Sequence, residues 1–168
     1  MDNNCPYCEL RLVKPRGPNI SPILVIGEFP GYKETMEGRP FVGEAGEVLQ
    51  EEFGRLGMDL NSVLITNMWL HEENKDKDCR DYSFKACIEE AIGRKAIFLV
   101  GSDCAKYFTG KLVMSVSGLF VESPLLNAKI IICAPNPAIC LQKGATVGEF
   151  RLALKRFYKT CVKEGIYE

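Results

Sequence analysis

The chain opens on two cysteines three positions apart, Cys5-Pro6-Tyr7-Cys8. A CxxC pair outside any core element has little packing purpose and suits two ligands of one metal or cluster, although such a pair also occurs as a redox dithiol or by chance. Further along, three short Gly/Pro-rich segments each follow an apolar run: Gly27-Glu28-Phe29-Pro30-Gly31, Asn67-Met68-Trp69 and Ala134-Pro135-Asn136-Pro137-Ala138. They offer a carboxylate, Glu28, and two amides, Asn67 and Asn136. Turn-making alone explains any one of these loops. Three together, each at the end of a strand, describe a site.

The elements that would carry them can be read from the pattern. Ile23 to Ile26, Val63 to Thr66, Ala96 to Val100 and Lys129 to Cys133 are short, nearly continuous apolar runs, as expected for strands covered on both faces. Between them Glu44 to Leu56 has apolar residues at helical spacing and a Gly57 stop. Ser83 to Ile92 and Ser102 to Phe108 are shorter helices, and Thr146 to Lys163 is a long closing one. Glu72 to Asp81 is expected as a polar loop and Leu112 to Val121 as an irregular hairpin. Strands alternating with helices argue a mostly parallel four-stranded sheet with helices on both faces. In such a sheet the loops at the carboxyl ends of the strands converge on the ligand crevice.

Composition sets the bounds. The 168 residues make a single domain, residues 1–168, with 46% hydrophobic and 26% charged residues, which excludes a disordered or fibrous chain. A net charge of −1 gives no global basic field for nucleic acid, so any DNA contact must be local. No secretory signal is expected, since the first residues lack a basic stretch followed by an apolar one, and no apolar run approaches the roughly 20 residues that span a bilayer. The expectation is a soluble protein of a reducing compartment, cytoplasmic or nucleoid-associated. Eight cysteines there are thiols rather than disulfides. Cys104, Cys133, Cys140 and Cys161 lie in or beside apolar segments and are expected to pack.

Gly27-Glu28-Phe29-Pro30-Gly31, then Gly38-Arg39-Pro40-Phe41-Val42-Gly43, then Ile65-Thr66-Asn67 resembles, in order and spacing, the blocks of the iron–sulfur uracil-DNA glycosylases of family 4. The resemblance covers about Ile23 to Ala91 well and the rest weakly. It implies a three-layer α/β/α fold, a structural iron–sulfur cluster of the [4Fe-4S] type, and hydrolysis of the N-glycosidic bond of a deaminated base in single- or double-stranded DNA by a monomer with water as nucleophile. Such a base must be flipped from the stack and held by its edge and its π-face. Phe41 is the expected stacking platform, Gly27 and its neighbours supply backbone N–H groups, and Asn67 offers the donor and acceptor that complement the N3–H and O4 edge of uracil. Glu28 is expected to position or activate water.

Two departures from the family stand out. Where family 4 has His-Pro-Ser after the last core strand, this chain has Asn136-Pro137-Ala138, so a neutral amide would steady the uracil O2. Loss of one oxyanion donor costs about a hundredfold to a thousandfold. The alternatives are therefore a shifted base specificity or a non-catalytic DNA or nucleotide binder. Ile139 and Leu141 occupy the place of the family's apolar wedge. The second departure concerns the cluster. The family's third cysteine, four residues after the motif Asn, is here His71, the chain's one histidine, and Cys87 follows sixteen residues later at the family's spacing. The ligand set implied is Cys5, Cys8, His71 and Cys87, with Cys79 the rival to His71. If Cys79 is left out it becomes a free thiol in a loop where a cross-linking branch of the superfamily carries a histidine nucleophile.

Overall fold

In the computed structural model, which describes residues 3–142 and 144–168, four strands form one all-parallel sheet. They are β1 (Ile23–Gly27), β2 (Leu64–Asn67), β3 (Ala96–Val100) and β4 (Ile130–Ala134), in the spatial order β2-β1-β3-β4. Every residue of all four strands is buried. That is why the strands read as nearly continuous apolar runs, with β2 ending in the buried polar residues Thr66 and Asn67. Alternate side chains nevertheless serve different layers. Leu24, Ile26, Leu64, Ile97, Leu99, Ile131 and Cys133 pack on one face with Phe84, Cys87, Cys104 and Phe108. Ile23, Val25, Ile65, Phe98, Val100 and Ile132 pack on the other with Leu49, Phe53, Phe150 and Phe157. The expected three layers are present.

The helices are α1 (Tyr32–Glu37), α2 (Glu44–Leu56), α3 (Lys77–Ala91), α4 (Ser102–Thr109), α5 (Val113–Val116), α6 (Pro137–Gln142) and α7 (Gly144–Lys163). Two expectations need correction. Helix α3 begins at Lys77, inside the stretch read as a polar loop, because Asp76 caps it by accepting the N–H of Cys79 at 3.0 Å. A solvated first turn has no apolar stripe to betray it. Leu112 to Val121 is not a hairpin: it contains α5, and Ser117 and Phe120 make single bridges to the edge strand β4. Among the described residues, no helix is long and apolar enough to cross a membrane.

Strand order decides where a ligand goes. The chain leaves β1 toward β2 and returns to β3 on the other side of β1, so the carboxyl ends of β1 and β3 flank the point where the winding reverses. Glu28 follows β1 and Gly101 follows β3 at this point.

Candidate active site and metal centre

Above the switch point lies a cleft of about 240 Å³ lined by Glu28, Phe29, Glu34, Phe41, Asn67 and Asn136, with Gly31, Ala45, Gly46 and Ala138 completing it. All four side chains singled out for base chemistry therefore meet in one place. Gly27 is their floor. A β-carbon there would stand 2.4 Å from Asn67 Oδ1 and 2.5 Å from Phe41 Cζ, so only glycine lets the amide and the ring come together at the end of β1. Asn67, the last residue of β2, is 3% exposed and paired in register with Gly27.

Phe41 is held rather than free. Its φ of 56° puts a bulky residue in the left-handed region, a conformation that persists only where the surroundings impose it. Glu34 is the main restraint, and sequence reasoning missed it. One carboxylate oxygen accepts the N–H of Gly31 at 3.1 Å and the other those of Val42 and Gly43 at 2.8 and 2.6 Å, tying the loop after β1 to the loop that carries Phe41. The signal was present: Glu34 stands three residues after the Gly31 N-cap of α1, the spacing of a capping box. Arg16 Nη2 adds a bond to the Phe41 carbonyl at 3.3 Å. At Gly46 a β-carbon would lie 1.9 Å from that carbonyl oxygen, so α2 approaches the loop through a glycine.

Glu28 spans the switch point. Its Oε1 accepts from Asn136 Nδ2 at 3.0 Å and its Oε2 from the N–H of Asp103 in the first turn of α4 at 3.2 Å. Gly101, at φ 116°, makes room, since a β-carbon there would fall 2.1 Å from Oε1. Burial raises the carboxyl pKa to about 6; the Asn136 hydrogen bond works against this and the nearby Asp103 carboxylate reinforces it. A half-buried carboxylate with a pKa close to neutrality, braced by an amide, is built for proton and water handling. Asn136 Oδ1 in turn accepts the N–H of Ala138 at the start of α6, which fixes the amide's orientation. Of the two wedge candidates, Leu141 is 54% exposed on α6, whereas the side chain of Ile139 lies outside the described part of the molecule.

A second cluster lies beyond β2. Sγ of Cys5, Cys8 and Cys79 and a ring nitrogen of His71 all fall within 4.8 Å of one another, a group that could hold a metal. Sequence spacing put Cys87 in this set and made Cys79 the rival of His71; the structure brings Cys79 and His71 in together and leaves Cys87 out. Eight residues of helix separate the two cysteines by about 12 Å along α3. Cys79 sits in the first turn, beside the CxxC, while Cys87 is wholly buried in the core, where burial pushes its thiol far above the ordinary range. Cys79 is itself 0% exposed and absent from the cleft lining, so it is no reactive thiol facing a base. At Cys5, burial acts to raise the thiol, but the N–H groups of Tyr7 and Cys8 outweigh it and hold it below the ordinary value. The donor types, three thiols and an imidazole, suit an iron–sulfur cluster. The spacing does not. Thiolates on different irons of a cubane stand about 6 Å or more apart, because two irons and an outward splay separate bonds of about 2.3 Å.

A parallel α/β sheet with a cleft at its switch point, walled by a ring, two amides and a carboxylate, is a site that could hold a planar heterocycle by its face and its polar edge. A profile of the uracil DNA glycosylase superfamily matches residues 15–159, and the chain belongs to that superfamily, whose members hydrolyse N-glycosidic bonds. It is 28% identical over 173 aligned positions to a type-4 uracil-DNA glycosylase of Pyrobaculum aerophilum, covering 92% of this chain and 88% of the relative. It is 26% identical to the type-4 enzyme of Archaeoglobus fulgidus, with 96% and 90% covered. The type-4 enzyme of Sulfurisphaera tokodaii is 30% identical over 69% of this chain and 58% of its own length.

Proposed function

We propose that this protein removes uracil from DNA by hydrolysis, with the base flipped into the cleft above Gly27. One observation carries the reading: Phe41 and Asn67 converge on Gly27 while Glu28 and Asn136, joined to each other, stand at the same strand ends. The Phe41 ring offers the stacking face. The Asn67 amide presents a donor to O4 and an acceptor to N3–H, a pairing that cytosine, with its N4 donor and N3 acceptor, does not match in the same amide orientation. Glu28, as carboxylate, orients the attacking water toward the anomeric carbon, and Asn136, braced by Glu28, donates to the uracil O2 as negative charge develops there. With an amide in place of an imidazole, the leaving base is stabilised by a weaker donor, so the enzyme is slower than a histidine-bearing relative. The step requires no metal, and none of these side chains belongs to the cysteine–histidine group. A net charge of −1 fits a protein that grips DNA through few phosphates and a shallow salt dependence.

The test is excision from single-stranded and duplex oligonucleotides carrying one uracil, followed by alkaline cleavage. Abasic sites at dU, and none at thymine or cytosine, are expected. Intact dU strands from folded protein would refute the reading.

A further inference from the structure

The sizes of two gaps in the cysteine–histidine group are informative. Four ligands on one tetrahedral ion are separated by about 1.6 bond lengths, which is about 3.8 Å between thiolates at 2.3 Å and about 3.6 Å between a thiolate and an imidazole nitrogen at 2.0–2.1 Å. Cys5 Sγ and Cys79 Sγ are 3.8 Å apart, and Cys8 Sγ and His71 Nε2 are 3.6 Å apart. We infer that Cys5, Cys8, His71 and Cys79 bind a single tetrahedral zinc ion, and that this chain has exchanged a cubane for a mononuclear site.

Three further features favour it. His71 is 1% exposed, and its Nδ1 lies 2.7 Å from the carbonyl oxygen of Glu72. A carbonyl only accepts, so Nδ1 carries the proton and Nε2 turns its lone pair toward the thiols, the outer-shell arrangement of a metal-bound histidine. Trp69 packs 5.8 Å from the imidazole and 5.5 Å from Phe84 of α3, fixing the ring plane. Cys79 is offered from the first turn of α3, directly opposite Cys5. Three thiolates and one imidazole, all buried but the partly exposed Cys8, make a structural zinc set with no open position for substrate. The ion would staple the N-terminal segment, already paired through the Val13 N–H to the Leu70 carbonyl at 2.5 Å, onto the stretch that follows Asn67.

The experiment counts metal and acid-labile sulfide on full-length protein purified anaerobically from cells given both iron and zinc. About one zinc per chain, no sulfide and a colourless solution are expected, with zinc retained in Cys87→Ala and lost from Cys79→Ser at unchanged far-UV circular dichroism. Brown protein with iron and sulfide in like amounts, metal-free protein, or metal lost from Cys87→Ala but kept in Cys79→Ser would overturn the inference. If Cys79→Ser does not fold, cobalt substitution of the wild type decides: intense tetrahedral d–d bands with thiolate charge transfer support a mononuclear site, and weak octahedral bands refute it.

Discussion

Removing the Glu34 carboxylate tests whether the Phe41 loop is held from a distance. The side chain accepts three backbone N–H bonds, at 3.1, 2.8 and 2.6 Å, that join two cleft loops. Charge-assisted bonds contribute about 1.5–3 kcal/mol when buried, and at this half-exposed site about 1 kcal/mol each is reasonable, or about 3 kcal/mol together. If that energy holds Phe41 in its left-handed conformation, Glu34→Ala lowers kcat/KM for uracil excision about a hundredfold. Glu34→Gln is graded. Its carbonyl placed where Oε2 lies keeps the bonds to Val42 and Gly43 at neutral strength and sets an amide N–H against the N–H of Gly31, so the loss is roughly tenfold. Single-turnover excision from a single-stranded oligonucleotide gives kcat/KM, and a thermal melt separates loop release from global unfolding. Local release leaves the midpoint nearly unmoved, while a loss spread over the whole fold lowers it by about 2–4 °C per kcal/mol. A Glu34→Ala enzyme with wild-type kcat/KM would show that the three bonds do not position Phe41.

Glu28 sets the pH dependence. Its folded pKa of about 6 lies above the ordinary 4.5, so between those values the native state holds more protons than the unfolded chain, and this group's contribution to stability falls as pH rises through that window and is level above it. Catalysis runs the other way: kcat/KM should climb through about pH 6 as the carboxylate forms, and Glu28→Gln should abolish both the limb and most of the activity. Asn136→Ala should lower kcat about a hundredfold and move the acid limb upward, because the amide's hydrogen bond is what lowers the Glu28 pKa; an unmoved limb in a pH–rate profile would contradict that pairing. Phe41→Ala should weaken uracil-DNA engagement by about 1–3 kcal/mol, read as a fall of roughly fivefold to 150-fold in kcat/KM. Gly27→Ala should cost more than about tenfold, as its β-carbon displaces Asn67 or Phe41; a folded, fully active variant would show the cleft to be looser than its contacts imply.

The sequence by itself determined the sheet and the residues that meet in the cleft, for a local reason. Strands buried on both faces are largely apolar, so β1 to β4 announced themselves. The blocks around Glu28, Phe41, Asn67 and Asn136 are short runs whose glycines and prolines are dictated by the backbone they form. Only the tertiary structure decided the rest. That Glu28 leans on Gly101 and Asn136 follows from strand order, which no window of sequence contains. That Glu34 ties the loop carrying Phe41 to the loop after β1 depends on two loops meeting in space. Choosing among His71, Cys79 and Cys87 by spacing failed because α3 starts earlier than its apolar pattern shows, and one helix cannot bring both its first turn and its third to the same CxxC. The first turn won, since Asp76 caps the helix there and leaves Cys79 facing Cys5.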